Sequence, residues 1–342
     1  MSDLKIAMLG TGAQGASIGA DLALAGLDVT FIEQWPDHVE AIRRDGITVN
    51  LPTRTINANV KALHLCQLAE LREKFDVVFI VTKAYDTKWS CQLIEPYVKP
   101  DGLVVGLQNG MSIDDIASVV GPNRTIGAVI EIASNMFIPG ITNRQNDHDT
   151  SWFAVGGFDE STQGRAESIA NILRHTGTVE VTSDIRSSKW MKLVVNAAEL
   201  VPSAILNLPL SAAARVPGML DFMRHAGYEA IHAAVASGSR IVPIFGMSAV
   251  DPSRPEKVVD DLFAEVLKTF SMEDTLTTTL QDWRKGRRGE TDDVNGYVVH
   301  WLKKVGKSSP VNQRVVEVAH EIELGKLEAA PSNIDRLLDI MK

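Results

Sequence analysis

The sequence predicts an α/β Rossmann-type N-terminal domain with a mostly parallel sheet, followed by an all-α C-terminal domain. Three observations carry this. An apolar run, Lys5-Ile6-Ala7-Met8-Leu9, enters Gly10-Thr11-Gly12-Ala13-Gln14-Gly15 and then a helical pattern. Short Val/Ile-rich segments alternate with helical stretches as far as residue 181. From Ser183 onward the strand signals stop and amphipathic helical periodicity takes over.

The glycine-rich turn is the most specific of these. Gly10 allows a tight turn, Gly12 lets backbone amides approach a pyrophosphate, and Gly15 lets the helix pack close to the strand. The helix N-terminus adds orphan N–H groups and positive dipole for phosphate charge. Gly10, Thr11, Gly12, Ala13, Gln14 and Gly15 are therefore the expected dinucleotide-binding stretch. The second strand, Asp28-Val29-Thr30-Phe31-Ile32, ends at Glu33, 23 residues after Gly10. An acid there can accept hydrogen bonds from the adenosine ribose and repels a 2′-phosphate, which favours NAD(H) over NADP(H). The alternative is a solvated acid at a strand end.

Further strands are expected at 60–63, 77–81, 103–107, 125–132, 153–155 and 179–181, with helices around 67–74, 89–98 and 163–175. Residues 142–151 read as a polar stretch. Near-continuous apolar strands separated by helices imply a parallel sheet covered on both faces. Ligands bind such sheets at the carboxyl ends of the strands. Thr82-Lys83-Ala84 and Gln108-Asn109-Gly110 fall there. Helices are then expected at 184–200, 217–237, 256–271, 292–305 and 310–323, the last started by Ser309-Pro310. The domains are placed at 1–182 and 183–342.

Length and composition fit this division: 342 residues with 45% hydrophobic and 23% charged side chains allow two ordinary cores. The net charge of −9 argues against a nucleic-acid or anionic-membrane surface. Cys66 and Cys91 have no metal-ligand spacing and read as free thiols in a reducing compartment. The first strand begins at residue 4, which leaves no room for a signal peptide, and no apolar run reaches membrane-spanning length. A soluble, cytoplasmic protein is expected. The 8 histidines form no H-x-H or H-E-x-x-H pair, so no metal site is expected.

In this architecture the catalytic groups are expected from the second domain. Lys192 and Asn196 are four apart and share a helix face bordered by Leu193, Val194 and Val195. Burying a lysine without a partner is costly, so this setting calls for a polar reason. A snorkelling lysine beside a satisfied asparagine is the plainer alternative. Glu290 precedes a helix whose apolar side is Val294, Val298 and Trp301; taken alone, it reads as a first-turn acid favoured by the helix dipole.

Together these residues resemble the ketopantoate reductases (2-dehydropantoate 2-reductases). The likeness rests on Gly10-x-Gly12-x-x-Gly15, Lys83, Leu107-Gln108-Asn109-Gly110-Met111, Lys192-x-x-x-Asn196, Thr278 and Glu290 with Asn295-Gly296, in that order. It covers nearly the whole chain. The resemblance implies Lys192 as catalytic lysine and Glu290 as active-site acid. It puts Lys83 beside the cofactor, Asn109 at the cofactor–substrate junction, and Asn196 and Thr278 on the substrate. Three departures stand out. Glu33 replaces the family's usual basic residue, Leu200 stands where a second asparagine is common, and Ile141-Thr142-Asn143 replaces a His-Gly pattern. Leu200 implies a more apolar substrate than ketopantoate.

The expected reaction interconverts a 2-oxo acid and a 2-hydroxy acid with a nicotinamide cofactor. An NAD-dependent D-2-hydroxy-acid dehydrogenase for bulkier or aromatic substrates is nearly as well supported. Opine or hydroxyacyl-CoA dehydrogenases typically use a catalytic histidine, and none here stands at a fitting motif. The non-enzymatic alternative is an NAD-binding sensor. A homodimer through 216–235 or 283–301 stands against ordinary intramolecular packing of the same stretches.

Overall fold

Apolar strands that alternate with helices build one large sheet in the computed structural model, which describes residues 4–341. The strands are β1 (Lys5–Leu9), β2 (Asp28–Glu33), β3 (Ile47–Asn50), β4 (Thr55–Ala58), β5 (Lys61–His64) and β6 (Phe75–Ile80). They continue with β7 (Val98–Leu107), β8 (Thr125–Glu131), β9 (Ser134–Ile138), β10 (Ile141–Arg144), β11 (Trp152–Gly157) and β12 (Thr178–Val181). The helices among them are α1 (Ala13–Leu24), α2 (Pro36–Asp45), α3 (Thr87–Ile94), α4 (Ile113–Val120), α5 (Glu160–Gln163) and α6 (Ala166–Leu173).

The large sheet has eight strands in the order β12-β11-β8-β7-β6-β1-β2-β5. Neighbours run parallel except β8 and β11, which are antiparallel. Side chains alternate across it, as the period of a strand requires. Ile6, Met8, Phe31 and Phe79 face a cluster with Ile18 and Leu22 of α1 and Ile169 of α6. Ala7, Leu9, Val78 and Ile80 face another with Cys91, Ile94 and Ile116. Both faces are thus buried. Burial also pushes the Cys91 thiol up to about 12, so it packs as a small apolar group.

A second sheet, β4-β3-β10-β9, lies outside the expected elements. Its strands are short and half polar, with β3 alternating buried and half-buried residues, so their pattern resembles loop. The polar stretch at 142–151 contains part of β10, and Arg144 is buried there. It donates to Asp21 at 2.7 Å, Ser151 at 2.7 Å and the Thr176 carbonyl at 2.6 Å. The expected helix at 67–74 is only a 3₁₀ turn, Leu65–Glu70. The one at 89–98 ends at Ile94, where Pro96 enters a further 3₁₀ turn.

The chain divides between Arg186 and Ser187 into two compact units. The helices that follow are α7 (Ile185–Ile205), α8 (Leu210–Ala214), α9 (Met219–Ala236), α10 (Pro255–Glu265), α11 (Thr278–Arg284), α12 (Asn295–Lys304), α13 (Pro310–Glu323) and α14 (Ile334–Leu338). Among the described residues no strand follows β12. α7 runs past the expected end at residue 200 and contains Pro202. α12 starts later than expected, at Asn295, and α13 matches its expected bounds.

Polar joints hold the second unit around α7. Asn295 donates to the Ala197 carbonyl at 2.9 Å and to Asn312 at 2.8 Å, and Asn312 donates to the Ala226 carbonyl. Glu229 of α9 accepts the amides of Val311 and Asn312 at the start of α13. Most of the apolar face of α9 is buried inside this unit, leaving Leu220 and Val235 exposed. No helix among the described residues is long and apolar enough to cross a membrane.

Candidate active site

In the sheet order, β7, β6, β1 and β2 are consecutive parallel neighbours, so their carboxyl ends share one edge. That edge carries Asn109, Lys83, the glycine-rich turn and Glu33 side by side. Gly10 adopts φ +89°, and a Cβ there would lie 2.8 Å from the Thr82 amide nitrogen. At Gly15 a Cβ would lie 2.2 Å from the Gly10 carbonyl oxygen. Gly12 is the opposite case, with nothing within 4 Å of the same position.

These three environments fit a dinucleotide cofactor. Gly12 caps α1 without any side-chain hydrogen bond, so Ala13, Gln14 and Gly15 present amides with no intrahelical acceptor. The open space at Gly12 leaves those amides approachable by a phosphate. Thr11 does something else. Its amide and hydroxyl both donate to Glu33, at 2.6 and 3.0 Å. Gln14 turns its side chain to the Ile132 carbonyl at 3.2 Å.

Glu33 is buried, which rules out the solvated alternative. Its second oxygen accepts the amides of Gln34 and Trp35 at 2.8 and 2.9 Å. All four acceptor positions of the carboxylate are therefore engaged by the chain itself. His38 braces the same turn. Its Nδ1 accepts the Gly140 amide at 2.9 Å, so Nε2 carries the proton and donates to the Thr11 carbonyl at 2.9 Å. Burial pushes the His38 pKa down, against the opposing pull of the Glu33 charge and the Thr11 carbonyl.

Lys83 and Asn109 are half-buried and sit in loops that Gln108 ties together. The buried Gln108 side chain donates to the Thr82 carbonyl at 2.6 Å and to the Thr87 hydroxyl at 2.9 Å, and accepts from Ser112 at 2.9 Å. The sequence placed Gln108 in a motif without a role. Its role is to fix its neighbours.

In the second unit, Lys192 and Asn196 lie on one face of α7, and the i, i+4, i+7 spacing adds Glu199 to it. All three are buried, Lys192 being 7% exposed. The Lys192 ammonium lies 3.9 Å from Glu199 Oε1 and 5.3 Å from the centre of the Phe245 ring. The snorkelling alternative for Lys192 therefore does not describe this residue. Asn196 has both side-chain polar atoms buried without a hydrogen-bond partner. Native proteins keep few such atoms, so these mark a place for a ligand or water.

Phe245 holds φ +60°, an outlying conformation for a bulky side chain, and its ring packs on Phe270 at 5.3 Å. Thr277 donates to the Leu200 carbonyl at 3.0 Å and meets Ser203 at 3.3 Å, which seats the start of α11 against α7. Next to it, the Thr278 hydroxyl oxygen is buried without a partner. Glu290 is buried in a turn five residues before α12, so it is not the first-turn acid that its sequence context suggested. The Asn295–Ala197 bond docks this segment onto α7 beside Asn196. Sequence reading missed Glu199 and Phe245. The spacing from Lys192 could have found Glu199; no pattern marks Phe245.

Two family models match most of the chain. Ketopantoate reductase PanE/ApbA matches residues 6–156, and its C-terminal counterpart matches residues 184–323. The chain belongs to the ketopantoate reductase family. Curated relatives include the 2-dehydropantoate 2-reductase of Archaeoglobus fulgidus, 27% identical, covering 94% of this chain and 98% of that one. The enzyme of the same name from Pyrococcus horikoshii is 27% identical, with 90% and 94% covered. Among solved structures, a PanE/ApbA family ketopantoate reductase from Ralstonia eutropha aligns with TM-score 0.79 and 26% identity, over 94% and 99% of the two chains. A D-mandelate dehydrogenase with NADH and anilino(oxo)acetate aligns with TM-score 0.83 at 21% identity over the same shares, a likeness of fold.

Proposed function

We propose that this chain is a nicotinamide-dependent oxidoreductase acting on CH–OH groups that reduces a 2-oxo acid to the 2-hydroxy acid, with ketopantoate to pantoate as the leading reaction. The observation that carries this is the buried Lys192 ammonium, one turn from an asparagine whose polar atoms have no protein partner. When a ketone is reduced, negative charge builds on its oxygen, and a positioned ammonium stabilises that charge and supplies the proton. The reduced nicotinamide, when bound, supplies the hydride. Lys192 holds the proton at Nζ and gives it to the substrate oxygen. Asn196 and Thr278 orient the substrate carboxylate without adding charge. Glu290 contributes a buried negative charge that favours the protonated lysine.

The first unit holds the cofactor, through the amides of Ala13, Gln14 and Gly15, with Lys83 and Asn109 lining its nicotinamide side. NADH is preferred over NADPH. Glu33 supports this by charge, since its carboxylate disfavours a 2′-phosphate even with its acceptor positions occupied by the chain. A second reading keeps the chemistry and changes the substrate to a bulkier or aromatic 2-oxo acid, as in a D-2-hydroxy-acid dehydrogenase. It is favoured by Leu200 and by the Phe245–Phe270 pair near Lys192.

The test is NADH and NADPH oxidation with ketopantoate beside aliphatic and aromatic 2-oxo acids. NADH-dependent turnover of ketopantoate supports the first reading, and turnover of bulkier acids alone supports the second. Bound NADH with no turnover on any of them points to a sensor. Lys192→Ala is expected to lower kcat at least about a hundredfold; near-normal turnover removes Lys192 from this role.

A further inference from the structure

We infer that Glu199 is the positioning residue for Lys192, holding the ammonium in place and keeping it protonated inside the fold. The inference rests on Lys192 being the proton donor. It adds a carboxylate from the same helix, two turns on, that no motif had singled out.

The geometry supports this in three ways. Glu199 and Lys192 are both almost fully buried, with side chains 6% and 9% exposed, so water screens their 3.9 Å separation weakly. Both project from one face of a long helix, so their spacing is set by backbone rather than by a mobile loop. The carbonyl oxygen of Glu199 also accepts the Ser203 hydroxyl at 2.6 Å, which ties its backbone to the next turn of α7. Burial in such a place weakens a lysine's hold on its proton. Lys189, one turn earlier on α7, is pushed down to about 8 by burial. A carboxylate beside an ammonium opposes that loss.

Other charged groups stand on α7 or on the segments packed against it, and their effects must be separated from that of Glu199. They are Lys189 on α7 itself, Glu229 on α9, Arg240 after α9, Asp282 on α11 and Glu290 in the turn before α12. Glu229 is engaged by the start of α13, and Arg224 on α9 by Asp260. Lys189, Asp282 and Glu290 are buried, and their charge could imitate the effect.

The experiment is the pH profile of reductive turnover, with NADH affinity read separately from fluorescence. Wild type is compared with Glu199→Gln, Glu199→Asp, Glu290→Gln, Asp282→Asn and Lys189→Met. Reduction needs the ammonium, so activity falls as pH rises through the Lys192 pKa. Glu199→Gln is expected to move that alkaline limb down by about one pH unit or more, a loss of at least about tenfold at alkaline pH that is largely recovered on acidification. NADH affinity stays within about twofold, and Glu199→Asp retains part of the limb. An unchanged limb in Glu199→Gln, including a wild-type profile flat to high pH that stays flat, overturns the inference. So does a loss uniform across pH, or a limb that moves in Lys189→Met, Asp282→Asn or Glu290→Gln instead. If Glu199→Gln does not fold, the Glu199→Asp profile decides by the same criteria. Full activity in Lys192→Met would instead overturn the parent reading.

Discussion

Gln108 donates from Nε2 to the carbonyl oxygen of Thr82 at 2.6 Å, which ties the loop after β7 to the loop after β6. Lys83 and Asn109 are the next residues along those two loops. Replacing Gln108 with Leu removes this bond and those to Thr87 and Ser112, leaving buried polar groups unpaired. Stability is expected to fall by about 1–3 kcal/mol, and NADH should bind more weakly than that loss alone explains. Denaturant unfolding and NADH titration on the same preparation check this. Undiminished NADH affinity would mean that the two loops are fixed by other contacts.

The glycines of the turn should separate folding from binding. Gly15→Ala forces a Cβ to within 2.2 Å of the Gly10 carbonyl, so both the melting temperature and NADH affinity should drop. Gly12→Ala meets nothing within 4 Å, so the melting temperature should hold while NADH affinity falls. A Gly12→Ala protein that binds NADH normally would move the pyrophosphate away from this helix end.

His38 gives the first unit a pH dependence of known sign. Its pKa is lowered from 6.5 by burial, so the unfolded chain takes up the proton first. The stability that the neutral ring provides is complete above the ordinary value and is lost as pH falls through the depressed one. Denaturant midpoints between about pH 5 and 8 should decline on the acidic side. His38→Gln should flatten that part of the curve. An equal decline in the variant would assign the effect to other groups.

Asn196→Leu should separate stability from activity. The asparagine carries a buried donor and acceptor with no protein partner, and leaving such groups unpaired costs about 1–3 kcal/mol. The leucine variant is therefore expected to be as stable as wild type or more so, while kcat/KM falls at least about a hundredfold. A variant that is destabilised and active would make Asn196 a structural residue.

The difference between what the sequence revealed and what it hid follows from the range of the forces involved. Gly10 and Gly15 could be read because the steric demands of a tight turn act within a few residues and admit only one residue type. The helix over Pro310–Glu323 could be read because its cap, proline and apolar period lie within the helix itself. The second sheet could not, since it pairs Ile141 with Thr48 across 93 residues through strands of four residues each. Arg144 misled for a related reason. Its stretch is polar, and polarity reads as exposure unless the partner, here Asp21, is known to be near. In the site, Lys192 and Asn196 were visible as polar residues in an apolar run. Phe245 was not, because its contact with Lys192 depends on a left-handed backbone that nothing around it in the sequence marks.

Glu33 is both a structural clamp and a charge at the cofactor end of β2, and the two duties cannot be altered separately. Any Glu33 substitution made to admit a 2′-phosphate also strips acceptors from Thr11, Gln34 and Trp35 and loosens the turn proposed to grip the pyrophosphate. A lineage of this chain that drifted toward the phosphorylated dinucleotide would pass first through a protein with a weakened grip on either one. On the proposed reading, discrimination by exclusion leaves the ribose hydroxyls little to contribute, so a 2′-deoxy dinucleotide should be accepted nearly as readily as NADH. The proposed cofactor choice is then tied to the turn itself, and it resists change for the reason that the turn is stable.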